Sequence, residues 1–173
     1  VQGPVTSAVA NSGNLRFNLS SNSTIQMPIS GTGTITVAGT GVITLTGNNS
    51  YTGATILNEG TSLIAGVNNA IGAGLINSNG TPSSPANFST SSGVVMPTLN
   101  ITGGTTAILS DISTTGAQSY TGNLIIGTSG TGTTTLQSSN ANILIDATIN
   151  GSANKVESLV VNAGTGMVTL GNS

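Results

Sequence analysis

Apolar and polar positions alternate in short runs along this chain, and glycine and asparagine separate the runs. Leu15-Arg16-Phe17-Asn18-Leu19 and Thr24-Ile25-Gln26-Met27 each place apolar side chains two residues apart, the period of a half-buried strand. From Gly31 the pattern predicts short strands between tight corners: Thr34–Val37, Val42–Thr46, Ala54–Leu57 and Ser62–Ala65. It resumes with Val94–Met96, Leu99–Thr102, Ala107–Ile112, Leu124–Ile126, Thr133–Gln137, Ile143–Ile149, Ser158–Val161 and Met167–Leu170. The nearest approach to a helix, Ala153–Val161, runs into β-branched residues that favour a strand. Residues 66–97 break the rhythm, and Pro82, Pro85 and a cluster of Ser, Thr and Asn predict a protruding loop at 77–93.

Two short phrases recur. Gly-Thr-Gly followed by a Thr-containing strand occurs at Gly31–Val37, Gly39–Leu45, Gly130–Leu136 and Gly164–Leu170. Gly-x-x-Ser-Tyr-Thr-Gly occurs at Gly47–Gly53 and Gly116–Gly122. Such self-similarity is the mark of stacked units that cover one another's apolar faces. The structural repeat positions are therefore Gly39, Gly41, Tyr51, Gly53, Tyr120, Gly122, Gly130, Gly132, Gly164 and Gly166. A coil of roughly 23 residues would put three coils between the tyrosines. Tyr51 and Tyr120 are then expected at the same corner or face of the cross-section, with their hydroxyls at the rim. Strands this short and closely spaced could form hairpins, but the repeated Gly-Thr-Gly before a Thr-containing strand fits successive coils of an all-β solenoid at least as well, with 1–173 as a single domain or one segment of a longer array.

Composition narrows the function. Charged residues make up 3% of the chain, against roughly 25% in an ordinary globular protein. A mean hydropathy of +0.25 nevertheless separates it from disordered sequences. The only cations are Arg16 and Lys155, and the formal charge is −2, so there is no footprint for nucleic acid or anionic lipid. No apolar run reaches the ~20 residues of a membrane span, and insertion into a membrane is not expected. Opening on Val1 rather than Met is expected of a processed or excised chain.

Candidate chemistry is sparse. With no His and no Cys, the usual nucleophile–base pairs and most zinc sites are missing, and no cofactor or metal is expected. The acids are Glu59, Asp111, Asp146 and Glu157. Asp111 and Asp146 have similar flanks and could stack on one face, the minimum for carboxylate chemistry on a polysaccharide, but a solvated corner is the plainer reading. Lys155 and Glu157, one residue apart on either side of Val156, would make a surface ion pair. Thr34-Ile35-Thr36, Thr44-Leu45-Thr46 and Thr133-Thr134-Thr135 would need to share one face to form a flat threonine array.

The stretch Gly39–Gly66 is similar to the passenger-associated repeat of bacterial autotransporters. Ile112–Gly122 and Ser158–Gly166 resemble repeats of filamentous-haemagglutinin-type adhesins. The resemblance covers about half the chain and implies a right-handed parallel β-helix, secreted or displayed at a cell surface, with an adhesive or scaffolding role and no catalytic residues. Two arrangements are expected to compete. In one, this is a segment of a large surface adhesin covered at its ends by neighbouring repeats; in the other, it is a filament subunit that pairs with itself end to end. A polysaccharide-acting β-helix enzyme is a distant third. A ligand on a host or cell surface is left open by the sequence.

Overall fold

The computed structural model describes residues 7–127, 132–152 and 157–171. Among them the regular elements are all β-strands, and each strand pairing is parallel. Each coil of chain lays a strand on successive sides, and the strands of one side pair with their counterparts one coil away.

The first side is an eight-stranded sheet of β2 (Asn14–Asn18), β5 (Thr34–Ala38), β7 (Thr55–Leu57), β9 (Leu75–Ser78), β12 (Leu99–Gly103), β15 (Gln118–Tyr120), β18 (Ile143–Ile145) and β21 (Val168–Leu170). The second has seven strands: β3 (Ser23–Ile25), β6 (Val42–Leu45), β8 (Ser62–Ala65), β10 (Ala86–Thr90), β13 (Thr106–Ile108), β16 (Leu124–Ile126) and β19 (Ile149–Gly151). The third begins with β1 (Val9–Ala10) on β4 (Ile29–Ser30) and later holds β11 (Val95–Met96), β14 (Ile112–Thr114), β17 (Gly132–Ser138) and β20 (Glu157–Asn162). Between those two small sheets the backbones still bond across coils: Ser50 N donates to Ile29 O at 2.8 Å and Ala73 N to Tyr51 O at 3.1 Å. The fold is a parallel β-helix, a β-solenoid of about seven turns.

Alternation survives in this parallel sheet because each wall has one dry and one wet face, unlike the doubly covered sheets of α/β proteins. In β6 Ile43 and Leu45 are buried while Val42 and Thr44 are half-buried; in β16 Leu124 and Ile126 are buried on either side of Ile125. Inward residues stack in columns. Leu15, Ile35, Thr55, Ile76, Ile101, Tyr120, Ile145 and Leu170 form one such column on the first side, at spacings of 20, 20, 21, 25, 19, 25 and 25 residues. The coils thus vary in length, and no single period describes them.

Corners depend on glycine where the chain turns against the coil before it. Gly39 has φ +86°, and a Cβ there would lie 2.4 Å from the Leu19 carbonyl oxygen. Only glycine combines that φ with that approach at no steric cost.

Three sequence expectations need correction. Residues 77–93 are mostly wall rather than loop: they contain the end of β9 and all of β10, whose Phe88 is wholly buried. The excursion there is the Thr81–Ser84 turn, closed by Thr81 N donating to Ser84 O at 3.0 Å and Ser84 N to Thr81 O at 3.1 Å. Ala107–Ile112 and Ile143–Ile149, each read as one strand, are each divided between two strands on different sides by a corner at Leu109–Asp111 and Asp146–Thr148. Apolar residues on both flanks of a corner look continuous in sequence, although the wall has turned between them.

Candidate functional site

The tyrosines lie inside the solenoid. Tyr120 points inward from β15, and its hydroxyl donates to Gln118 Oε1 at 2.7 Å. Gln118 Nε2 in turn donates to the Gln137 carbonyl at 2.6 Å and to Thr114 Oγ1 at 3.2 Å, so a polar chain crosses the corner between the third and first sides. Tyr51 enters just ahead of β7 and shares a 2.6 Å hydrogen bond with Thr55 Oγ1. Both rings are fully buried. Desolvation pushes the Tyr51 hydroxyl up to about 12, against a smaller lowering by Thr55, and burial pushes Tyr120 higher still.

The two hydroxyls are therefore not at the rim, and the two tyrosines are not register equivalents. Thr55 occupies the column position that Tyr120 takes three coils later, and Tyr51 stands four residues before it. The Ser-Tyr-Thr-Gly copies are offset by those four residues: a Cβ on Gly53 would meet Gly33 O at 2.3 Å, whereas one on Gly122 would meet Gly103 O at 2.5 Å. Among the Gly-Thr-Gly positions, Gly39 and Gly41 make the corner from the first to the second side, and Gly164 and Gly166 that from the third to the first. Gly132 opens β17 on the third side, and Gly130 lies outside the described residues.

Asp111 and Asp146 do not share a face. Asp111 sits between β13 and β14, where Oδ1 accepts from Thr135 N at 2.7 Å. Asp146 follows β18 on the outside of the first side, exposed. Glu157 accepts from the backbone N–H and the hydroxyl of Ser152, and its expected partner Lys155 lies outside the described residues. Among the described residues no group of three or more acids is placed to hold a metal ion. The threonine runs fall on three different sides, Thr34 and Thr36 on the first, Thr44 on the second, Thr133 and Thr135 on the third, so they build no common array. Outside the second side, Ala107, Leu109 and Ile125 floor a groove of about 480 Å³ walled by Pro82 and Pro85.

The large apolar side chains that stand exposed gather on the last described rung. Leu170, in the column of the buried Ile145, is 66% exposed. Val168 extends the column of buried Ile143, and Ile149 that of buried Leu124; both are exposed. The outer edges of β19, β20 and β21 have no strand paired to them among the described residues. No family model, curated protein or solved structure matches the chain. Residue chemistry alone must therefore interpret the rung: a row of core side chains together with a parallel strand edge whose free N–H and C=O groups suit one more coil of the same kind.

Proposed function

We propose that this chain is a structural, non-catalytic length of an extracellular β-solenoid, of the kind that forms the shaft of a bacterial surface adhesin. The observation that carries this reading is the open rung. Leu170, Val168 and Ile149 are the next members of columns that every preceding coil covers, so their natural cover is a further parallel coil. The near absence of charge agrees with a role in stacking, since few like charges oppose the approach of another coil.

The test is antibody labelling of intact cells that produce the protein, with an immunoblot of the native polypeptide. The reading expects label on intact cells, removed by external protease. It expects a band well above 16.8 kDa if the coils belong to a large adhesin. Label that appears only after lysis would contradict it. A surface-labelled band near 16.8 kDa would favour the second arrangement, a subunit joined end to end, which the placement of two charges supports.

A further inference from the structure

Arg16 and Asp146 stand in one outward-facing column of the first side, Arg16 at its start and Asp146 one rung before its last described position. The column runs Arg16, Thr36, Ile56, Asn77, Thr102, Thr121, Asp146, Gly171. Both charged residues are exposed. Within one chain six rungs, about 29 Å at ~4.8 Å each, separate them. That is more than three Debye lengths, at about 8 Å each, in physiological salt, so they do not act on each other there.

Gly171 makes the arrangement informative. It is the residue beyond Asp146 in the column, and a Cβ built on it would lie 2.1 Å from Asp146 Oδ1. The carboxylate therefore occupies the space that a side chain at 171 would take, and leans over the last strand toward the open end. The next position along this column would lie one rung past Gly171.

We propose that the open end receives the first coil of a second copy of this chain, with the first sides in register, so that Arg16 of the second copy pairs with Asp146 across Gly171. In that register the second copy's Leu15 follows Leu170 in the inner column, one partly exposed leucine covering another. The second copy's Arg16 lies two rungs, about 9.6 Å along the axis, from Asp146. A guanidinium on a long stem and a carboxylate leaning the other way meet over a residue that has no side chain to part them. The contact is head to tail and does not close, so it propagates as a filament. The proposal rests on the reading of the open rung as a stacking surface, and it adds the partner and the register.

The experiment uses the 173-residue chain and two variants, Arg16→Asp and Asp146→Arg, followed by light scattering and sedimentation at low and high salt. Both side chains are on the outer surface, so melting curves should match the parent's. Each variant alone sets like charges against each other at the joint and should assemble about tenfold more weakly. An equimolar mixture should recover parental assembly, because alternating copies make every joint Arg–Asp, and the recovery should fade in high salt. A mixture no better than either variant, or variants that assemble as the parent does, would overturn the proposal. So would a parent chain that stays monomeric at millimolar concentration. Leu170→Asp separates the two levels: if it blocks assembly that the charge variants leave untouched, stacking through the open rung stands and only this register and ion pair fall.

Discussion

Tyr120, Gln118 and Thr114 form a polar chain inside an otherwise apolar corner, and its cost is met only because each group has a partner. Tyr120→Phe removes one hydroxyl and leaves Gln118 Oε1 desolvated, so we expect a loss of about 1–3 kcal/mol by thermal or urea unfolding. Tyr120→Ala, which also empties the ring's volume, should cost about 3–5 kcal/mol. The tyrosines also fix the alkaline limit. Their folded ionisation lies above the ordinary value near 10, to about 12 for Tyr51 and further for Tyr120, so the unfolded chain loses these protons first. Their contribution is intact below pH ~10 and declines as pH rises from there through about 12 for Tyr51. Phenolate absorbance should therefore appear together with loss of far-ultraviolet circular dichroism; phenolate forming while the fold persists would contradict the burial.

Asn49 works the same way across coils, its Oδ1 accepting from Ile29 N at 2.8 Å and its Nδ2 donating to Ala70 O at 2.6 Å. Asn49→Ala should lower stability by about 2–4 kcal/mol, since it strands one buried backbone group on each side. Thr106 is the contrasting case, because its buried Oγ1 has no partner among the described residues. Thr106→Val should leave stability unchanged or raise it by about 1 kcal/mol. None of these roles was legible in the sequence. Asn48 and Asn49 look alike there, yet only Asn49 faces inward, and which one does so depends on a corner whose geometry three coils determine together.

At the scale of the strand, much of the wall was legible, because one-sided wetting keeps the period of two. Ser62–Ala65 and Leu124–Ile126 were predicted with their observed bounds. The coil length was not, because insertions at corners change it from 19 to 25 residues without disturbing the columns. The matching tyrosine phrases misled for the same reason: they are 69 residues apart, while three coils from Thr55 to Tyr120 take 65. Glycines test the stacking directly. Gly33 and Gly53 follow Gly13 in one column, and a Cβ on either would lie 2.4 and 2.3 Å from the carbonyl oxygen of the glycine one coil earlier. Gly33→Ala and Gly53→Ala should each lower the melting temperature measurably. Gly132→Ala, where nothing lies within 4 Å, should be nearly neutral in the same assay. Equal effects at all three would mean that the coils are not in this contact.

At the scale of the molecule, eight strands on the first side make a body about 34 Å long, with a core sealed along its flanks and open at the described last rung. The recurring phrases and the resemblance to adhesin repeats both suggested a solenoid, but the sequence did not show that Arg16 and Asp146 share a column, since that follows only from six register steps. The central claim is that the open rung is a stacking surface. Hydrogen exchange at β21, followed against protein concentration, tests it most directly, with β7 and β15 as protected references. The amides of β21 that do not bond β18 should exchange freely in dilute solution and become protected as concentration rises, in step with light scattering. If they exchange at one fast rate from micromolar to millimolar protein, the rung does not take a further coil of this chain, and the account of the chain as a self-stacking length of solenoid is contradicted.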